Sequence, residues 1–571
     1  MWDLVIQNGL VFDGNGSPPI LQDVAVAQGK IVALAPQLNL PAKKVIDAHN
    51  HWVTPGFLDI HTHYDLELEV APGLTESVRH GVTTVIIGNC SLSIAIGEPV
   101  MLAAMFQRVE TLPHRFLQKW LEKAIIWDSP GEYLAHLQTL PLGPNVAPLL
   151  GHSGLRAHVM GLERSLTDQP TPLELKTMGN ILQNALEAGF LGFSIDMFPW
   201  HWMSGQWSAH TIPSQHAQFP EYDYLANLCR QANRVLQVTP NPQNLASFWH
   251  VFCLGMGLGQ KPLKMTVLSA LDFVHARQLW RGFAPLLALW NNILGGNVRF
   301  QTLTEPFTVY GEGPMTPLFE EFPTGAKLNS CTNRVERQNL WRSPLFREQF
   351  RNDWERSKNK SFHRQLEQMI ITRSPIADWE GRNIAEVAAK ENRDPLGFFI
   401  EALVEYDTDL RWLTTAANDR LQPRLELMKH PYIFPGFTDA GAHMRNLGYY
   451  DGALSLLKQA MTTGFLTPEA AIHRVTGEPA QWFGLNTGVL KVGSQADLLI
   501  LNPQALHAEI SPMEAIVDPN LDGELRIVKR GSETIIDAVY INGELVVQRG
   551  EVSNQLGKQA YGSLLFPHTH S

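Results

Sequence analysis

His61 and His63 stand two residues apart near the end of the stretch VTPGFLDIHTHYD (53–65). On a strand, side chains two apart point to the same face, roughly 7 Å from one another along the backbone. Neutral imidazole is the commonest metal-binding side chain, so such a pair at the end of a buried strand can grip one divalent ion. The pair is weak evidence by itself, because the chain holds 21 histidines and a short motif needs its context. Three further segments supply that context. Cys90 closes HGVTTVIIGNC, His152 and Arg156 lie in GHSGLR, and Asp439 and His443 lie in FTDAGAH. Two imidazoles, a thiolate and a carboxylate (His61, His63, Cys90 and Asp439) make a coherent four-ligand set for zinc. The chemistry this set supports is activation of water near neutral pH.

Those residues need a scaffold that brings distant segments to one place. Between about residues 54 and 481, apolar strand candidates recur at 55–63, 82–90, 145–153, 191–197, 234–240, 263–269, 298–306 and 432–443. Several are nearly continuous apolar runs, as expected of parallel strands buried on both faces. Helical patterns lie between them. In TPLELKTMGNILQNALEAGF, Thr171 reads as the N-cap, Pro172 opens the first turn, Glu174 completes a capping box and Gly189 follows the end. Another helix is predicted over 221–233. Eight strands alternating with helices predict a (β/α)8 TIM-like barrel. Such barrels work at the C-terminal ends of their strands, and that is where His61, His63, Cys90, His152 and Asp439 fall. This coincidence outweighs the ordinary reading of each residue alone.

The two chain ends differ from the middle. Residues 1–53 and 482–571 carry short alternating strands punctuated by Asn8-Gly9, Asp13-Gly14, Gln28-Gly29, Asn542-Gly543 and Arg549-Gly550, the chemistry of hairpins. Neither end can bury a sheet face alone, so together they predict a small β-sandwich domain. The segment at about 308–427 is too long for a connection, and its Arg-, Glu-, Gln- and Trp-rich texture predicts a helical insertion before the last barrel strand.

With 571 residues, 44% hydrophobic and 18% charged, the composition is that of a globular protein. A net charge of −11 argues against a nucleic-acid partner. Four cysteines without a CxxC pair are no disulfide framework. No signal peptide or membrane-spanning stretch is visible. The expected setting is therefore cytoplasmic, with no membrane partner and homo-oligomerisation left open.

Taken together, PGFLDIHTHYD, HGVTTVIIGNC, GHSGLR, FTDAGAH and the C-terminal GVLKVGSQADLLILNP resemble the amidohydrolase superfamily, and within it the N-acyl-D-amino-acid deacylases (D-aminoacylases). The resemblance implies a metal-bearing barrel that hydrolyses amide bonds. It places metal-binding roles on His61, His63, Cys90 and Asp439, with Asp439 also handling the proton of the attacking water. The chain departs from the family pattern where D-aminoacylases carry metal histidines after strands 5 and 6. Here those stretches read QVTPNP (237–242) and KMTVLS (264–269). No lysine ends strand 4, although His201 in PWHW fits a histidine position found there in longer relatives. The expectation is one zinc ion and a small-molecule amide substrate, most simply an N-acyl (D-)amino acid. His152, Arg156, His201 and His443 are candidates to orient its carbonyl or carboxylate. Competing readings are a cyclic-amide hydrolase, a deaminase, or a barrel that has lost catalysis and serves binding or assembly.

Overall fold

The computed structural model describes residues 1–112, 114–242, 244–356, 361–507, 513–521 and 523–568. Residues 357–360 of the predicted insertion, and 508–512, 522 and 569–571 of the predicted C-terminal part, lie outside the described residues. Eight parallel strands form the central sheet: β1 (Phe57–Asp59), β2 (Val82–Ile87), β3 (Asn145–Gly151), β4 (Gly192–Asp196), β5 (Val235–Thr239), β6 (Lys264–Leu268), β7 (Asn297–Thr302) and β8 (Ile433–Pro435). Neighbours in sequence are neighbours in the sheet, β7 pairing directly with β8. Every residue of β2, β3, β4 and β5 is buried, which explains their mostly apolar character. Beyond the short β1 and β8, Thr62 and Ala440 bridge in parallel. There Asp439 N donates to His61 O at 3.1 Å and His63 N to Ala440 O at 2.7 Å. The cylinder is thus closed by the segments that carry the candidate ligands.

The helix Pro172–Ala188 starts on the predicted capping box, with both the Thr171 and Glu174 halves formed, and stops at Gly189. The chain ends build one continuous nine-stranded sheet in which Trp52–Pro55 pairs antiparallel with Leu498–Leu501. Lys30 bridges to Gln495, so the sheet curls over a shared core that includes Ile6, Val26, Val53, Leu498 and Ile500. Gln28-Gly29 and Asn542-Gly543 are hairpin turns. Asn8-Gly9 is not one: the strand Trp2–Val11 runs through it with a register shift against Ile20–Ala27. The extra residue is absorbed as a bulge, with Asn8 N donating to Asp23 Oδ1 at 2.9 Å.

The insertion is not purely helical, contrary to the sequence expectation. It contains an antiparallel sheet of Phe307–Glu312, Arg411–Ala417 and Ile370–Arg373, with Arg411–Ala417 in the centre. These strands are short and pair across about forty and about a hundred residues, so no local hairpin signal marks them. Around them lies an aromatic core including Phe319, Trp341, Phe350, Trp354 and Trp412. The insertion reaches the barrel mouth. Glu320 pairs with Arg108, its backbone carbonyl accepts from Trp202 Nε1 at 3.0 Å, and Asn446 after β8 bonds to Tyr310 O and Met315 O. No helix among the described residues is long and apolar enough to cross a membrane.

Candidate metal centre

The strand-to-loop turns at the barrel mouth are fixed by polar side chains that the apolar strands would otherwise exclude. Thr62, between the two histidines, donates to Ile86 O at 2.8 Å, and Asn89 Nδ2 donates to Thr62 O at 3.0 Å. Asp65 accepts from Gly88 N at 2.9 Å, and Ser194 of β4 bonds to both Gly88 O and Ser91 N. Asp59 accepts from His61 N and from the Thr438 hydroxyl, tying the β1 loop to the β8 loop. Burial pushes Asp59 and Asp65 each up to about 7. Gly88 has φ +77, and a Cβ there would lie 2.1 Å from Leu149 O. Gly88→Ala is therefore expected to destabilise the fold by on the order of 2 kcal/mol or more, read as a lowered unfolding midpoint.

His61, His63 and Cys90 are all buried, and each offers a ligand atom within 4.8 Å of the others. Cys90 Sγ lies 3.4 Å from His61 Nε2. Asp439 Oδ1 lies 3.5 Å from His61 Nε2 and 3.4 Å from His63 Nε2. Tetrahedral zinc with bonds of about 2.0–2.1 Å to nitrogen or oxygen and about 2.3 Å to sulfur has ligand-to-ligand edges of about 3.4–3.6 Å. The His61–Cys90, His61–Asp439 and His63–Asp439 spacings fall in that range, so His61, His63 and Cys90 offer three donors of the right type for one such ion, with Asp439 beside the two histidines. The histidine side chains are 0% and 3% exposed, whereas that of Asp439 is 23% exposed. Asp439 is thus the member that solvent or a ligand can reach.

The electrostatics agree with ligation. Burial pushes His61 down to about 3, leaving its lone pair free at neutral pH. Burial raises the Cys90 thiol well above its ordinary value, so a thiolate there calls for a cation beside it. Burial also works against the Asp439 carboxylate, but the His63 and His61 imidazoles hold it well below the ordinary carboxylate range. Cys90, Asp439 and His443 all have left-handed backbones, with φ of 50°, 55° and 46°. Such conformations cost about 1–3 kcal/mol each in a non-glycine residue and cluster at working sites.

The other predicted residues divide. His201 and His443 share the electrostatic neighbourhood of Asp439. His201 Nδ1 bonds Asp196 Oδ2 at 2.6 Å; burial opposes its charge, but the Asp196 carboxylate outweighs this and raises its pKa. Burial lowers His443 to about 4. His152 and Arg156 are instead fully buried and turned to Glu221. His152 bonds it at 2.8 Å and Ser214 at 3.0 Å, while Arg156 contacts it at 3.2 Å and donates to Asp168 O. The structure does not bring these two to the ligand cluster. Asp196, Gln237 and Thr239 escaped the sequence reading. Their signal was polar residues at the end of β4 (Asp196) and in the middle and at the end of β5 (Gln237, Thr239), strands whose other positions are mostly apolar.

Comparison with known proteins follows the same outline. The amidohydrolase family matches residues 44–234 and again 422–546. An uncharacterized protein of Mycobacterium tuberculosis (strain ATCC 25618 / H37Rv) is 35% identical over 580 residues, covering 98% of this chain and 94% of the relative. N-acyl-D-glutamate deacylase of Alcaligenes xylosoxydans xylosoxydans is 35% identical over 197 residues, 34% of this chain and 36% of that enzyme. The crystal structure of N-acyl-D-glutamate deacylase from Bordetella bronchiseptica, complexed with zinc and a phosphonate inhibitor, superposes with a TM-score of 0.66. It is 22% identical, with 99% of each chain covered, a likeness in fold.

Proposed function

Because the chain belongs to the amidohydrolase family, we propose that it is a metal-dependent hydrolase of non-peptide C–N bonds that deacylates an N-acyl (D-)amino acid with one zinc ion. The observation that carries this reading is the buried cluster of His61, His63 and Cys90, with Asp439 Oδ1 3.5 and 3.4 Å from the two histidines. The partial matches to N-acyl-D-glutamate, N-acyl-D-aspartate and D-aminoacylase enzymes support the substrate class.

The ion, when bound, supplies a water pKa lowered from about 15.7 to about 7 and polarises the scissile carbonyl. The chain's own groups do the rest. Asp439, ionised at neutral pH, accepts the proton of the attacking water at a carboxylate oxygen and returns it to the leaving nitrogen. Asp196 clamps Nδ1 of His201, which fixes the ring, and in the protonated ring Nε2 is the nitrogen left to donate to substrate. His443, neutral at pH 7, lines the same mouth. The insertion is tied to the β4 loop that carries His201 by the Trp202 Nε1 hydrogen bond to Glu320 O.

His201→Gln is expected to lower kcat/KM by about 100-fold. Because Asp196 raises the His201 pKa, the protonated ring persists to higher pH. Activity that needs that proton declines as pH rises through the raised value, and this alkaline limb should vanish in the variant. The reading itself is tested by metal analysis of purified protein and by a panel of N-acyl-D-amino acids, hydantoins and aminated bases. Bound zinc with turnover confined to the N-acyl-D-amino acids is the expected result. Turnover confined to hydantoins or aminated bases would move the chain to a cyclic-amide hydrolase or deaminase. A protein devoid of any divalent ion would refute it.

A further inference from the structure

Besides its contact with His61, Cys90 is held at its backbone N and its sulfur by two residues of β5. Cys90 N donates to Gln237 Oε1 at 2.7 Å, Gln237 Nε2 donates to Thr239 Oγ1 at 3.1 Å, and Thr239 Oγ1 lies 3.2 Å from Cys90 Sγ. All three side chains are buried. The direction of this ring is not free. A backbone N–H can only donate, so the oxygen of the Gln237 amide must face Cys90 N and its NH2 must face Thr239. The Thr239 oxygen thus accepts from Gln237 and keeps its own proton to give. A ligand thiolate carries no proton, so in that state Cys90 Sγ must accept on its β5 side from the Thr239 hydroxyl.

From this closed ring we infer that Gln237 and Thr239 are positioning residues for Cys90. They aim one sulfur lone pair at the His61, His63 and Asp439 donors and occupy the place from which a second cation would contact the sulfur. The centre consequently holds one ion per chain. This inference rests on the proposed metal-dependent function, and it adds which residues set the stoichiometry. Among the described residues no further His, Cys, Asp or Glu joins the three-residue cluster. The groups that β5 turns toward Cys90 are an amide and a hydroxyl, which suit a hydrogen bond to sulfur better than ligation of zinc.

The test is metal binding by the full-length protein, loaded separately with zinc(II) and cobalt(II). Ions per chain are counted after equilibrium dialysis, affinity is measured by chelator competition, and the thiolate-to-cobalt charge-transfer absorption is recorded. Wild type is expected to saturate at one ion. Thr239→Val, which keeps the shape and loses the O–H, should weaken binding by about 10- to 100-fold and shift the charge-transfer band, while Thr239→Ser should restore both. Gln237→Met, which breaks the ring at its other member, should reproduce the valine phenotype if the valine variant does not fold. Saturation at two ions, or a valine variant with wild-type affinity and spectrum, would overturn the inference while leaving the hydrolase reading intact. Failure of wild type to bind either metal would end both.

Discussion

Asp439→Asn is expected to lower kcat by about 1,000-fold or more while the protein remains folded. Amide and carboxylate are the same shape, so the loss isolates charge. Two consequences combine. The asparagine cannot accept the water proton, and removal of a positioned base costs about 100- to 10,000-fold. It is also a poorer ligand, so the ion is held by fewer anionic groups. Asp439 is the exposed member of its cluster, and the asparagine keeps an oxygen beside the buried His61 and His63 rings, so folding should survive the change. Steady-state kinetics on a substrate from the panel, with a thermal melt as control, would settle it. Wild-type turnover in this variant would remove Asp439 from the proton transfer altogether.

His63→Ala is expected to abolish stoichiometric metal at neutral pH and, with it, activity beyond about 10,000-fold. The buried cluster has three members, the number a catalytic zinc site uses, and losing His63 leaves two of them with Asp439 beside His61. Metal content and activity should fall together, which separates ligand loss from a substrate-binding defect. A His63→Ala protein that retains one ion per chain would show that the ion lies elsewhere. The corresponding change at His152 should leave metal content unchanged, because its ring nitrogens are committed to Glu221 and Ser214.

Much of this was legible before any coordinates. The eight barrel strands announce themselves because strands buried on both faces are predominantly apolar, as in VTTVII and NVAPLLG. The capping box at Thr171 is likewise a local signal with a local cause. His61, His63, Cys90 and Asp439 were legible as strand-end residues, since a carboxylate, thiol or imidazole terminating an apolar run is costly without a purpose. What resisted reading depended on distant partners. The insertion sheet joins residues 307–312 to 411–417, and nothing near either strand names the other. Arg156 in GHSGLR looks like a carboxylate clamp until Glu221, on a later helix, appears beside it. Asn8-Gly9 has turn chemistry, but the neighbouring strand extends past it and turns the signal into a bulge.

The way the cylinder closes has a further consequence. β8 spans only three residues, and the first and last staves meet chiefly through the loops bearing His61, His63 and Asp439. An ion gripped from both sides is therefore a clasp across that joint as well as a reagent. By mass action, free ion at about 100 times its dissociation constant adds about 2.7 kcal/mol to the folded state. Catalytic competence and architectural integrity would then be lost together when the metal is withdrawn, and demetallated chains would be the ones offered first to proteolysis.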